Sequence, residues 1–381
     1  CLVTFCGDIH FCFIEERYRL NIMSKPRIIA FYLPQYYPTD FNDKWWEPGF
    51  TEWTNVAKAK PLFPGHYQPK LPGELGFYDL RLPQTRERQA ELAKIAGVES
   101  FMYWHYWTDG KKVLNEVFEE VVKSGKPDMG FSLCWANHSW TKCAWNGYKK
   151  STLLLEQKYP GRDDHVKHFY DLLPAFKDRR YTRVNGKLLF AIFSPYQFPN
   201  VNGFISLWNE LAKKEGLNGF YFVALNKDQN RASEMINLGF DAVADDYMDG
   251  FCQQCYMYSG LPFRILRRFF GLVFGNNYKE YCDYVVRRFK VEKMKHPCIY
   301  PNWDHSARSG KLATMFRNAE PSVWGVFCKR IFKECSTRNP QENLVFVKSW
   351  NEWGEGNYLE PDRKYKRGYI NKLREAIDSY E

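Results

Sequence analysis

The sequence predicts a single (β/α)8 barrel with a long first βα loop and a basic, partly helical insertion. Eight short apolar runs recur along the 381 residues, helical patterns separate most of them, and polar and aromatic residues follow each run. Continuous apolar runs are typical of parallel strands that are buried on both faces. The alternation favours a barrel over an open doubly wound sheet, since no G-x-G-x-x-G motif follows the first run.

The predicted strands open with IIAFYL and close with LVFV, and β-branched and aromatic side chains are frequent in them. In chain order they cover residues 28–33, 100–104, 129–134, 188–193, 220–225, 242–244, 298–300 and 344–347. If these strands form one barrel, the polar residues that follow them gather on its C-terminal rim, where barrel active sites lie.

The predicted helices fill the intervals between the strands. The clearest is QTRERQAELAKIA, which Gly97 ends. The full set covers residues 84–96, 111–124, 163–178, 203–215, 230–238, 278–294, 321–337 and 364–379.

Two connections depart from this regular pattern. The loop 34–83 is long, aromatic and rich in Pro and Gly, as lids and binding loops often are. The insertion 249–295 contains a basic apolar segment, 262–274, which suits an anionic membrane surface. The same segment also suits a helix that packs on the barrel with its arginines extended outward.

The ends of the chain and its charge lead to expectations about location. The folded domain is expected over residues 25–381, and residues 1–24 are expected to be a non-native or disordered N-terminal extension. Residues 1–22 lack signal-peptide features, which favours a cytoplasmic protein, and no run of 18 apolar residues predicts a membrane-spanning helix. The net charge of +10 fits work at the inner face of an anionic membrane or on a lipid-linked glycan.

Composition limits the function classes. Aromatic residues form 18% of the chain, more than a core requires, and their faces can stack on the apolar face of a sugar. No recognition helix, zinc finger or RNA-binding signature accompanies the charge, so no nucleic acid partner is expected. Phosphate-loop, serine-hydrolase and zincin motifs are absent from the sequence, so these enzyme classes are not expected and no cofactor is predicted. The absence of a D-x-D motif counts against a nucleotide-sugar enzyme that needs a divalent cation at such a site.

The stretch SWNEWGEGNYLEP follows the last predicted strand and carries the clearest chemical signal. Glu352 and Glu355 are three residues apart, so one helical turn would place both carboxylates on one face. Paired carboxylates, one protonated and one ionised, are the usual machinery of glycoside hydrolysis. Glu352 and Glu355 are therefore the predicted catalytic pair. Glu360 is a third candidate, for which a salt bridge or loop cap is the alternative.

Other residues at the strand ends are predicted to bind the substrate. For His105, a hydrogen-bonding role in the core is an equal alternative. The predicted substrate-binding residues are Tyr36, Trp46, Glu52, Trp53, His105, Tyr106, Trp135, Asn137, His138, Trp303, Asp304, Trp350, Asn351, Trp353 and Glu360.

Six sequence blocks carry a resemblance to a known family. They are FYLPQYYP (31–38), NDKWWEPGFTEWTNV (42–56), GHYQP (65–69), LGFYDLR (75–81), CWAN (134–137) and WNEWGEG (350–356). Together they resemble the WbsX-type family, described as glycosyltransferases of bacterial surface-polysaccharide clusters, such as those for O-antigen lipopolysaccharide or capsule. That family is similar to glycoside hydrolase family 99, the endo-α-mannosidases and endo-α-mannanases. The resemblance runs from about residue 27 to residue 379.

This resemblance implies a (β/α)8 barrel and metal-independent retaining chemistry. The E-W-H-E motif of family 99 is similar to residues 352–355. By that similarity, Glu352 takes the proton of the sugar 2-hydroxyl, which attacks the anomeric carbon to give a 1,2-anhydro sugar. Glu355 is then the acid, and later the base, at the leaving oxygen. Two residues depart from the pattern, because Gly354 replaces the histidine and His138 stands where an acidic residue is expected.

The leading prediction is an enzyme that cleaves or transfers a glycosidic bond of an α-linked oligosaccharide or polysaccharide, in surface-polysaccharide biosynthesis or processing. Water or a second sugar can capture the same intermediate, so the motif fits both a hydrolase and a transferase. Two alternatives stay open. One is a nucleotide-sugar-dependent glycosyltransferase, and the other is a non-catalytic carbohydrate-binding barrel whose glutamates only hydrogen-bond the sugar.

Overall fold

The computed structural model describes residues 23–142, 152–258 and 275–380, and within them eight parallel strands close into a barrel. The strands are β1 (Arg27–Tyr32), β2 (Val98–His105), β3 (Gly130–Trp135), β4 (Lys187–Ile192), β5 (Phe220–Asn226), β6 (Ala242–Asp246), β7 (Lys295–Ile299) and β8 (Leu344–Val347). Each strand pairs with the next in chain order, and β8 pairs with β1. The predicted fold and all eight predicted strands are confirmed.

The eight predicted helices are also present, with some shifted ends. The described helices are α1 (Asp40–Trp45), α2 (Glu52–Lys58), α3 (Pro83–Ala96), α4 (Glu116–Ser124), α5 (Arg162–Lys177), α6 (Val201–Lys214), α7 (Ala232–Asn237), α8 (Met248–Tyr258), α9 (Tyr278–Arg288), α10 (Ser306–Ser309), α11 (Pro321–Cys335) and α12 (Gly368–Asp378). The helix predicted from residue 111 begins at Glu116 because Lys111–Lys112 instead pairs with Trp107–Thr108 in a short antiparallel ladder.

Short 3-10 turns and two-stranded ladders lie outside the eight-stranded barrel. In the part of the chain that the structure describes, five 3-10 turns cover Pro195–Gln197, Gln229–Arg231, Gly310–Leu312, Pro340–Glu342 and Trp353–Glu355. Two-stranded ladders join Trp140–Lys142 to Thr152–Leu155, Asn276–Asn277 to Phe316–Arg317, and Asn351–Glu352 to Asn357–Tyr358, while Arg183–Val184 adds antiparallel to β4.

The strands separate two cores. On β1, Ile29 and Phe31 point into the barrel, where they pack with alternate residues of the other strands. Ile28, Ala30 and Tyr32 point outward and pack beneath the surrounding helices. This alternation follows from the two-residue period of a strand, and it decides which residues near a strand end face the rim cavity.

The long loop 34–83 folds back onto the stretch that follows β8. The Trp353 backbone N–H donates a hydrogen bond of 2.9 Å to the hydroxyl of Tyr36. The Gly73 backbone N–H donates one of 2.8 Å to the carbonyl of Pro361. The first βα loop and the last one thus form a single wall, which places Glu52 beside residues 352–355.

Some expectations fall outside the described residues, namely those on residues 1–22 and on the basic segment 262–274. Near the expected start of the domain, the Ser24 backbone N–H donates a 2.7 Å hydrogen bond to the carbonyl of Ser336. Within the described residues, no helix is both long and apolar enough to cross a membrane.

Candidate active site

A cavity of about 530 Å³ opens at the C-terminal rim of the barrel. Every barrel strand contributes to its lining. The residues at or next to the eight strand ends are Leu33, Trp104, Ala136, Phe193, Lys227, Asp246, Tyr300 and Lys348. The cavity therefore lies where the sequence places the site, and the long first loop adds Trp46, Phe50 and Glu52 to its wall.

The stretch after β8 forms a tight hairpin. Asn351–Glu352 pairs antiparallel with Asn357–Tyr358, and the 3-10 turn Trp353–Glu355 joins them. Gly356 closes the turn at φ 56°, in the left-handed region that glycine adopts at little cost. The hairpin turns both Glu352 and Glu355 into the cavity.

One arginine holds three glutamates at this wall. Arg308 lies on α10, and its Nη2 donates to Glu352 Oε1 at 2.8 Å while its Nη1 donates to Glu355 Oε1 at 2.8 Å. Its Nε donates to Glu52 Oε2 at 3.1 Å. The side chains of Arg308 and Glu352 are nearly buried, whereas that of Glu355 is 25% exposed.

Arg308 was not among the site residues predicted from the sequence. Its position shortly after β7, beside the polar run 302–305, was the available signal, but an arginine on a basic chain does not stand out.

Burial and charge set the protonation of this cluster. Burial raises the pKa of Glu352 well above its usual range, Arg308 opposes this, and the neighbouring carboxylates of Glu355 and Glu52 raise the pKa further. Burial lowers the pKa of Arg308, but the three carboxylates outweigh it and hold the guanidinium charged. One cation faces three carboxylates, so the cluster favours a proton on Glu352.

A second ionic pair lies at the cavity floor. Lys348 Nζ lies 3.1 Å from Asp246 Oδ2, and the Tyr300 hydroxyl donates to the same oxygen at 2.7 Å. Burial raises the pKa of Asp246, but the Lys348 ammonium outweighs it and the net pKa is lowered. Phe31, Trp104, Phe193 and Tyr300 surround the ammonium, with ring centroids 5.4–5.8 Å away. Neither Lys348 nor Asp246 was among the predicted site residues.

Aromatic rings form much of the remaining wall. Trp46 stacks on Phe50 with ring centroids 5.3 Å apart, and Trp303 stacks on His305 at 5.8 Å. Tyr106 lies across the cavity and its hydroxyl accepts a 2.5 Å hydrogen bond from Gln35 Nε2. Within the described residues, no group of three His, Cys, Asp or Glu side chains is arranged to hold a metal ion.

A carboxylate cluster on the rim of a closed barrel, with aromatic walls, fits the family that the sequence resembles. The model of the Glycosyltransferase WbsX family matches residues 28–373. The chain belongs to the WbsX glycosyltransferase family. This confirms the resemblance and places the chain in a carbohydrate-active enzyme family.

Two curated relatives are uncharacterized WxcX proteins from Xanthomonas campestris pv. campestris. They are 29% identical over 358 residues (strain B100) and 28% identical over 354 residues (strain ATCC 33913), and each alignment covers 92% of this chain. The same alignments cover 49% of the relatives, so the chain spans about half of their length.

Solved structures share the fold at low identity. The GH99 endo-alpha-mannosidase from Bacteroides thetaiotaomicron superposes with a TM-score of 0.55 at 13% identity, covering 93% of this chain and 97% of that one. A glycoside hydrolase-like protein gives a TM-score of 0.54 at 14% identity, covering 94% of this chain and 95% of that chain. These similarities show the barrel architecture that the WbsX chain shares with them.

Seven of the predicted site residues line the cavity of this WbsX protein. They are Trp46, Glu52, Tyr106, His138, Trp303, Glu352 and Glu355. His138 packs against Phe193, and burial lowers its pKa to about 4, so the ring is neutral near pH 7.

A second group of predicted residues packs behind the glutamate wall, the side of the cavity formed by Glu52, Glu352 and Glu355. The Trp353 ring stacks on Tyr358 with centroids 3.8 Å apart, and its Nε1 donates to Glu360 at 2.6 Å. Glu360 is fully buried, and burial raises its pKa to about 7 against the hydrogen bonds that it accepts. The support group, none of which lines the cavity, is Tyr36, Trp53, Asp304, Trp350, Asn351, Trp353 and Glu360.

Three further predicted residues face away from the cavity. His105 Nε2 lies 2.7 Å from His168 Nε2 in the outer core, and burial lowers its pKa to about 3. Trp135 Nε1 donates to the carbonyl of Trp107 at 3.0 Å. The Asn137 amide bonds both backbone groups of Ser194. Their contacts are those of residues that hold the strand ends in place.

Proposed function

We propose that this WbsX-family protein cleaves or transfers a glycosidic bond, with Glu352 and Glu355 as its catalytic pair. The observation that carries the proposal is the meeting of both carboxylates on one guanidinium, in an aromatic-walled cavity at the C-terminal rim. Such a pair can supply one proton and accept another, which is what glycosidic bond cleavage needs.

The proposed roles follow the family-99 resemblance. Glu352 takes the proton of the sugar 2-hydroxyl, and that oxygen attacks the anomeric carbon. Glu355 gives a proton to the leaving oxygen, so the glycosidic bond breaks and a 1,2-anhydro sugar forms. Water or an acceptor hydroxyl then opens the anhydro ring, with Glu355 taking its proton and Glu352 returning one to the 2-oxygen. The net configuration is retained.

The proposed substrate is an oligosaccharide or polysaccharide of a bacterial surface glycan. Trp46 and Trp303 offer faces on which pyranose rings can stack, and Tyr106 adds a hydroxyl beside them. A lipid-linked substrate and a position at the inner, anionic face of the membrane belong to the same proposal, which the net charge of +10 supports. The same proposal includes neither a nucleic acid partner nor a metal.

The test is a turnover screen on α-mannan, other surface glycans and nucleotide sugars. With Glu352→Gln or Glu355→Gln we expect turnover to fall by about 10²–10⁴-fold while glycan binding is retained. The matched control is Glu91→Gln, which removes a carboxylate from the outer face of α3.

Two outcomes would contradict the proposal. Glycan binding without any turnover by the wild type would indicate a carbohydrate-binding barrel. Metal-dependent turnover of a nucleotide sugar that survives both glutamine substitutions would indicate a nucleotide-sugar transferase.

A further inference from the structure

The residue between the two catalytic glutamates is a glycine for reasons of space. A Cβ at Gly354 would lie 2.7 Å from Arg308 Nε and closer still to Glu52 Oε2. The φ of Gly354 lies outside the left-handed region, so the backbone itself does not demand glycine. The space that a side chain would fill is taken by the Arg308–Glu52 pair.

Three distant parts of the chain meet at this point. Glu52 is the first residue of α2, Arg308 lies on α10, and Gly354 is the centre of the 3-10 turn after β8. Glu52 Oε2 lies 3.1 Å from both Nε and Nη2 of the guanidinium, while Nη1 donates to Glu355 and Nη2 to Glu352. All the paired atoms lie within 2.8–3.1 Å. Glu52 thus orients the Arg308 guanidinium, which in turn contacts both catalytic carboxylates.

We propose that Arg308 is a positioning residue for the reaction proposed above, and that Gly354 provides the opening through which Glu52 fixes it. The guanidinium holds both catalytic carboxylates in place and keeps Glu352 able to act as a base. The inference rests on the proposed function of Glu352 and Glu355, and it explains why this chain departs from the family-99 motif at Gly354.

The electrostatics require such a residue. Burial favours protonated Glu352, whereas the proposed reaction needs its carboxylate to accept a proton. A guanidinium keeps its charge at all working pH values and donates two bonds to ionised oxygens. The titratable and charged groups that face the pair are Arg308, Glu52, Tyr36, Tyr106, His305 and Lys348. Among these, Arg308 directly contacts both catalytic carboxylates.

The kinetic test uses α-mannobiosyl fluoride, whose leaving group needs no proton, so the pH profile reports the base. For Arg308→Met we expect the rising limb of kcat/KM against pH, which covers only the steps through fluoride release, to move up by about 1–3 units, because the cation that favours ionised Glu352 is gone. Arg308→Lys keeps a positive charge, so its rising limb should lie close to the pH of the wild-type limb. Its kcat should still be reduced. Arg88→Met, which removes a guanidinium paired with Glu74 and Glu91 on the outer surface, is the control.

A second readout does not need turnover. In thermal unfolding between pH 5 and pH 8, Arg308→Met should lose stability more steeply with rising pH than the wild type, because ionising three carboxylates without a cation is unfavourable. Gly354→Ala keeps every charge but displaces the Arg308–Glu52 pair, so it should shift the same limb and steepen the same slope. This variant also tests the inference if Arg308→Met does not fold.

The failures can be distinguished. If the wild type turns over neither the fluoride nor any glycan of the screen, the proposed function fails, and the unfolding slopes still report on Arg308. If the wild type is active but Arg308→Met and Gly354→Ala keep its pH limb, Arg308 only packs against the glutamates and the inference is overturned. Parallel unfolding slopes for all variants would overturn it as well.

Discussion

The cavity is lined by two buried clusters of charged side chains, which differ in the number of carboxylates per cation. At the floor, one ammonium faces one carboxylate, and Tyr300 completes the hydrogen bonding of Asp246. At the glutamate wall, one guanidinium faces three carboxylates. The balanced pair is held ionised, whereas the unbalanced cluster favours a proton on Glu352. Burial raises the pKa of both carboxyl groups, but Asp246 has a cation of its own that outweighs it, whereas Glu352 shares one cation with Glu355 and Glu52.

The largest effect on stability is expected from a variant that breaks the ion pair between Lys348 and Asp246. Lys348→Met leaves the Asp246 carboxylate buried without its cation, so the free energy of unfolding should fall by about 3–5 kcal/mol. Urea denaturation measures it. The control is Lys187→Met, which breaks the more exposed pair with Asp241 and should cost about 1 kcal/mol or less. Equal losses in the two variants would contradict the distinction between buried and exposed pairs.

A smaller change sharpens the same comparison. Tyr300→Phe removes the hydroxyl that donates to Asp246 and keeps the ring, so we expect a loss of about 1.5–3 kcal/mol in unfolding free energy. Tyr278→Phe removes a hydroxyl that donates to a neutral carbonyl at 2.7 Å and should cost about 0.5–1.5 kcal/mol. If the second variant costs as much as the first, the charge on Asp246 adds nothing.

The unbalanced cluster should respond in the opposite direction. Because the pKa of Glu352 is raised in the folded protein, its stabilising contribution is present at low pH and is lost as pH rises toward that pKa. Glu352→Gln should therefore raise the unfolding temperature by about 2–4 °C at pH 8 and leave it nearly unchanged at pH 4. A lower unfolding temperature at pH 8 would show that the cluster stabilises the fold.

The smallest expected effect concerns the aromatic wall. Trp303→Ala removes a ring that lines the cavity, and we expect glycan affinity to fall about tenfold, or about 1.4 kcal/mol, in calorimetric titration. Tyr170→Ala, which removes an exposed ring on α5, should leave affinity unchanged. Unchanged affinity in Trp303→Ala would show that the Trp303 ring does not contribute to glycan binding.

The strands and the glutamate pair were predictable because their signals are local in the sequence. The eight apolar runs each became a barrel strand, and Glu352 and Glu355 lie within four residues of each other on one hairpin. Arg308 was not predictable in this way, since it lies 44 and 47 residues from the two glutamates and 256 residues from Glu52. Its role depends on the closure of the barrel, which brings β7, β8 and the first loop together.

The faces of the strand ends were also hard to assign from sequence. Trp104 and His105 are neighbours, yet Trp104 lines the cavity and His105 packs in the outer core. The same holds for Ala136, which lines it, and Trp135, which does not. Successive side chains of a strand point to opposite faces. A position near the end of a strand therefore predicts that a residue lies near the rim, but not whether its side chain faces the cavity or the outer core.

The most direct test of the proposed roles is the release of fluoride from α-mannobiosyl fluoride by Glu352→Gln and Glu355→Gln. The first step needs a base but no acid for this leaving group. We therefore expect Glu355→Gln to release a burst of one fluoride per enzyme and then slow down, while Glu352→Gln shows no burst. A burst in Glu352→Gln together with none in Glu355→Gln would contradict the account, because it would exchange the roles of the two glutamates.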